Sequence, residues 1–154
     1  MVTPGFAAPA QLANGFYGIT ADETDRAKLP SPGKNTTIVT YDPKVSDPAN
    51  KGSKRFLLVP TVPDVPMNLS GDPKKERSSR GNALLLLQLD PKHAKLLEDF
   101  TRKNAMKVHV AIIIGGEVVS THKIRTPIIG GRIQITRCSD NACEVIYTKL
   151  KEAK

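Results

Sequence analysis

VHVAIIIGGEVVSTHKIRTPIIGGRIQI, residues 108–135, decides the fold. Apolar and polar residues alternate through Val108 and its neighbours, stop at Gly115-Gly116, and alternate again from Glu117. Period-two patterning on both sides of a two-glycine step predicts a β-hairpin over Lys107 to Ile114 and Glu117 to Arg125, because glycine accepts the positive φ that tight hairpin turns require. With that tip, opposed residues sum to 231, so His109 is expected directly across from His122. Val108, Val110, Ile112 and Ile114 would then share the core face, and the two histidines would share the other with Ala111, Ile113, Val118 and Ser120. Pro127 and Gly130-Gly131 break the chain. Arg132 to Arg137 then alternates Ile133 and Ile135 against polar residues, which predicts a half-buried strand.

Upstream, Ala83 to Leu89 is almost continuously apolar and of strand length, as expected of a strand covered on both faces. Asp90-Pro91 supplies a helix N-cap and a proline at the first helical position. Ala94, Leu97 and Phe100, with Leu96, lay an apolar stripe along a helix ending near Lys103-Asn104, where the lysine suits the negative pole of the helix dipole. Downstream, Ser139 or Asp140 can cap a last helix whose inner face carries Cys143, Ile146 and Leu150. The order from residue 83 is therefore β-α-β-β-β-α. That order predicts an α+β fold with a mostly antiparallel sheet and helices packed on one face.

Residues 1–54 are rich in proline, glycine, asparagine and aspartate, and are expected to be a loop-rich region preceding a domain over residues 55–154. Phe16 to Ile19 and Thr36 to Tyr41 are its strand-like islands. Phe56 to Val59 reads as a short apolar strand. The prolines at 60, 63 and 66 make the stretch after it extended, so that Phe56 to Pro66 is a candidate exposed edge or, equally, the entry strand of the sheet. Gly71 to Asn82 reads as a polar loop carrying Lys74, Lys75, Arg77 and Arg80, a candidate anion-binding cluster.

The chain has 154 residues, no tryptophan and a formal net charge of +8, which suits an anionic partner. No apolar run approaches the roughly 20 residues that span a bilayer. The Ala- and Pro-rich start is what chain just beyond a cleaved signal peptide looks like. Cys138 and Cys143 are close enough in sequence to form one disulfide in an oxidising compartment, or to stand as two reduced thiols in the cytosol.

The last 85 or so residues resemble the head subdomain of the large periplasmic domain of SecD, the protein-translocase accessory subunit. The resemblance lies in Met67-Asn68-Leu69-Ser70-Gly71-Asp72, in the strand from Ala83 to Leu89, and in the helix with its Phe100-Thr101 pair. It is fullest in AIIIGGEVVSTHKIRTPIIGGRIQI, which is similar to the family's hairpin with a "DG" or "GG" tip, then "VxSxPxI", then "IxGGxxxI". His122 stands where the family has a small residue or proline, Gly115 where aspartate is common, and Cys138 and Cys143 where cysteine is unusual. The resemblance implies a periplasmic, non-enzymatic binding module, without SecD's proton-relay helices. Its partners would be extended polypeptide or an anionic cell-envelope component.

Two rival readings come from the residues alone. His109 and His122, if opposed about 5 Å apart, could grip a metal ion in a small metal-binding protein or hydrolase. A lone pair of ligands falls short of the four that tetrahedral zinc prefers. The +8 charge could serve a nucleic-acid binder, although the basic cluster lacks the interleaved aromatics on which bases stack. Neither glycine pair matches a phosphate-binding loop. No catalytic residue and no cofactor is expected.

Overall fold

The computed structural model describes residues 12–43, 51–81, 83–135 and 140–152. In chain order the strands are β1 (Gly15–Ile19), β2 (Ala21–Glu23), β3 (Thr36–Tyr41), β4 (Arg55–Pro60), β5 (Val65–Pro66), β6 (Lys74–Arg77), β7 (Ala83–Gln88), β8 (His109–Ile114), β9 (Glu117–Lys123) and β10 (Arg132–Ile135). Helix α1 (Pro91–Asn104) lies between β7 and β8, and α2 (Asp140–Glu152) follows β10. From residue 83 the order is strand, helix, three strands, helix, and the fold is α+β. The strands make three antiparallel sheets, ordered β5-β1-β8-β9, β10-β7-β6 and β2-β4-β3.

The β8–β9 hairpin is buried on both faces. Along β8, Val110, Ile112 and Ile114 enter one apolar cluster with Leu85, Leu87, Leu97, Ile133, Ile146 and Leu150. Ala111 and Ile113 enter a second with Tyr17, Leu57, Val59 and Val118. That second face, expected to hold the histidines, is instead covered by residues from the first 60 positions. Both strand-like islands are strands: β1 pairs with β8 over its whole length, and β3 pairs with β4. Each fully buried Ile or Leu contributes on the order of 1.5–3 kcal/mol, so closing both faces outweighs the ordering of a polar, proline-rich segment.

The hairpin register departs from expectation. Near the tip Ile114 opposes Glu117 and Ile113 opposes Val118, as the sum of 231 requires. The ladder then shifts between Ile112 and Ile113, and Ile112 opposes Ser120. Val119 is the extra residue of a β-bulge. A one-residue slip turns every following side chain to the other face. Beyond the bulge Val110 opposes His122 and His109 opposes Lys123. The two histidines stand on opposite faces and cannot share an ion.

Three further expectations change. Lys74–Arg77 is an edge strand paired with β7, not loop; its four exposed charged side chains protect an edge that would otherwise attract other chains. Of the candidate edge Phe56 to Pro66, Phe56 to Val59 lies within β4, the centre of its sheet, so its backbone is already paired on both sides, whereas Val65–Pro66 is β5, a two-residue strand at the outer end of the β5-β1-β8-β9 sheet. On α1, Leu96 is 40% exposed and Thr101 takes the inward place. The helix start is as read: Asp90 accepts from the His93 backbone N–H at 2.8 Å, and its carboxylate also meets His93 Nδ1 at 2.7 Å.

Candidate functional site

Two sheets leave a gap. The ladder β5-β1-β8-β9 ends at β9, and β10-β7-β6 begins at β10; β9 and β10 do not pair. A cavity of about 200 Å³ occupies the space between them. Its floor is Phe16, Val110, Ile112 and Leu97; its far wall is Ile124, Ile128 and Ile133; its rim is His122, Arg132 and Gln134. Arg132 is the one lining residue with a fixed charge, and no carboxylate lines the cavity.

Each wall has a local cause. The bulge in β9 brings His122 to this face, where its Nε2 lies 3.0 Å from Ser120 Oγ. The ring edge stays in solvent at the rim, while the apolar surroundings hold its pKa below the ordinary 6.5. The segment between β9 and β10 is tied down along its length. Ile124 N–H donates to Val108 O at 3.1 Å, and Leu89 N–H donates to Gly131 O at 2.9 Å. Gln88 Nε2 donates to Gly130 O at 2.8 Å. The central tie is Thr101: fully buried, it donates to Leu97 O at 2.7 Å and accepts from Ile128 N–H at 2.8 Å. One hydroxyl thus joins α1 to the loop that walls the cavity. Gly130 and Gly131 take φ of +85° and +69°, which lets the chain turn into β10.

The geometry of β10 gives the cavity its chemistry. Leu89 and Gly131 form a hydrogen-bonded pair, and antiparallel ladders alternate. Ile133 and Ile135 therefore direct their backbone groups toward β7. Arg132 and Gln134 direct theirs outward, along an edge unpaired among the described strands. Core-facing Ile133 and outward-facing Arg132 and Gln134 all line the same cavity, which places it alongside that edge. A second, more polar groove of about 550 Å³ lies on the solvent face of the same sheet, where the charged residues Asp72, Lys74, Glu76 and Arg132 line it with Gln88 and Gln134.

The basic cluster is partly engaged within the fold. Lys75 pairs with Glu144 at 3.0 Å and lies over the Tyr147 ring, and Arg77 donates to Gly81 O at 2.9 Å. Lys74 lines the polar groove, and Arg80 sits in the β6–β7 turn. The proposed Cys138–Cys143 bridge lies outside the described residues. Among the described residues no three His, Cys, Asp or Glu side chains gather as a metal site, and no helix is long and apolar enough to cross a membrane. Sequence reasoning missed Thr101, Ile128, Arg132 and Gln134. A threonine four residues after Leu97, on the inward stripe of α1, was the available signal.

The family model of the SecDF P1 head subdomain matches residues 68–145. No curated protein matches the chain. Among solved structures, a chain of SecDF, described as a membrane component that enhances protein export, is 28% identical with a TM-score of 0.45; the match covers 52% of this chain and 36% of that one. SecDF in its super-membrane-facing form is 29% identical with a TM-score of 0.47, over 54% of this chain and 11% of that one. The chain thus spans about a third or less of the solved proteins it matches. With the family model covering residues 68–145, from before β6 into α2, the chain belongs to the SecDF P1 head subdomain family.

Proposed function

We propose that this chain is a non-enzymatic, periplasmic accessory module of protein translocation that binds extended polypeptide. The observation that carries the reading is the apolar cavity beside the outward backbone groups of Arg132 and Gln134 on β10. An unfolded chain carries unpaired N–H and C=O groups and exposed apolar side chains, and an open strand edge next to an apolar cavity satisfies both. Membership of the SecDF P1 head family supports the translocation setting. The charge of +8 supports partners that carry acidic residues.

The test compares one labelled polypeptide in two states. A reduced, carboxymethylated protein that cannot fold is titrated with the full chain and followed by fluorescence anisotropy, beside its native disulfide-bonded form. Saturable binding of the unfolded form alone is expected. Equal binding of both forms, or of neither, would overturn the proposal.

A further inference from the structure

We infer that the cavity accepts a single large apolar side chain from a segment that pairs with the outer edge of β10, and that an acidic residue next to it in that segment meets Arg132. The inference rests on the polypeptide-binding reading and narrows it to a recognisable step of sequence.

Volume selects the occupant. A cavity of about 150 Å³ lined by aliphatic and aromatic residues holds one benzene. At about 200 Å³, this one takes a phenylalanine- or leucine-sized group. Strand geometry then sets the neighbour. Successive residues of an extended segment point to opposite faces. A segment bonded to the outward groups of Arg132 and Gln134 that sends one side chain into the cavity, beside Ile133, must send the next to the solvent face. Arg132 and Gln134 have their side chains on that face. No ion pair involves the Arg132 guanidinium among the described residues, and the other charges on that solvent face, Asp72, Lys74 and Glu76, belong to β6 and the chain before it, with β6 across β7 from the β10 edge; Arg132 is therefore the charge beside the added segment, and an acidic residue is favoured over a basic one. The preferred step is thus an adjacent apolar and acidic pair, such as Phe-Glu, in an extended context.

The experiment titrates the full chain with fluorescent peptides that share a Thr-rich host sequence and differ at the central pair. Replacing Phe-Glu by Ala-Glu is expected to weaken binding about tenfold or more, since the apolar area of the ring is lost from the cavity. Replacing Phe-Glu by Phe-Lys is expected to weaken it about two- to fivefold, with the difference shrinking at high salt. In the Arg132→Gln variant the Glu and Lys peptides should bind alike, while the preference for Phe over Ala persists. Gln134→Pro removes one outward N–H at a strand edge, where proline is tolerated, and should weaken every peptide. If that variant does not fold, N-methylating the peptide at the residues that pair with β10 asks the same question without touching the protein. An unfolded chain that binds without preference for Phe, and without sensitivity to N-methylation, would overturn this inference and leave the broader reading standing. Failure of the unfolded chain to bind at all would overturn both.

Discussion

Replacing Thr101 by valine isolates one hydroxyl. The side chain keeps its branched shape, so the packing against Leu97 changes little, but the acceptor of the Ile128 N–H at 2.8 Å is gone. Thr101 is fully buried, so water does not take its place. A donor left unsatisfied in the interior costs about 1–3 kcal/mol, and the half-buried setting of Ile128 puts the value in the lower part of that range. With a urea slope of about 2 kcal/mol per molar, the unfolding midpoint should fall by about 0.5–1 M with no change in slope. Thr101→Ser separates the two halves of the side chain. It loses a buried methyl, worth about 0.8 kcal/mol, but keeps the hydroxyl. The Ile128 amide should therefore exchange faster with solvent in the valine variant and stay protected in the serine variant. A valine variant as stable as the parent, with Ile128 exchange unchanged, would refute the role given to this hydroxyl.

Gly130→Ala and Gly131→Ala both place an L side chain at positive φ, at about 1–2 kcal/mol each. Only the second also drives a Cβ to within 2.6 Å of Ala94 Cβ, so thermal melts should show the larger drop for Gly131→Ala, and equal drops would contradict the packing described. The Asp90 carboxyl is held below its ordinary 3.8 by the His93 backbone N–H and then by the His93 side chain. Its contribution is complete above 3.8 and is lost as pH falls through the lower folded value, so the stability gap between the parent and Asp90→Asn should close in acid; a gap independent of pH argues against it. His122 is held below 6.5 by burial, so folding favours its neutral form. Stability from this group is whole above 6.5 and declines as pH drops through the folded value, and His122→Gln should flatten that decline. An NMR titration that places His122 at or above 6.5 would contradict the site geometry.

Local chemistry made some of this structure legible and left other parts hidden. Asp90-Pro91 marks the start of α1 to the residue, because cap and proline act within one turn. Gly115-Gly116 marks the hairpin tip, because φ of +62° and +82° in succession is a turn that glycine adopts freely and most residues do not. The bulge gives no such signal. Val118 and Val119 are both apolar and both buried, one in each cluster, so either register satisfies the alternation. What decides is the covering of the second face by Tyr17, Leu57 and Val59, contacts made across 50 or more residues of sequence. The same slip that parts His109 from His122 delivers His122 to the cavity rim. Lys74–Arg77 has no apolar alternation because both its faces are exposed, and it is a strand through its pairing with β7. The cavity needs β1, β8, β9, α1 and β10 at once, and no single stretch encodes it.

Amide hydrogen exchange at Arg132 and Gln134, with and without a saturating unfolded polypeptide, bears most directly on the binding edge. Both amides should exchange freely in the chain alone and become protected in the complex, while Ile133 and Ile135, already bonded to β7, change little. Unchanged exchange at Arg132 and Gln134 in a fully bound sample would place the polypeptide elsewhere on the molecule.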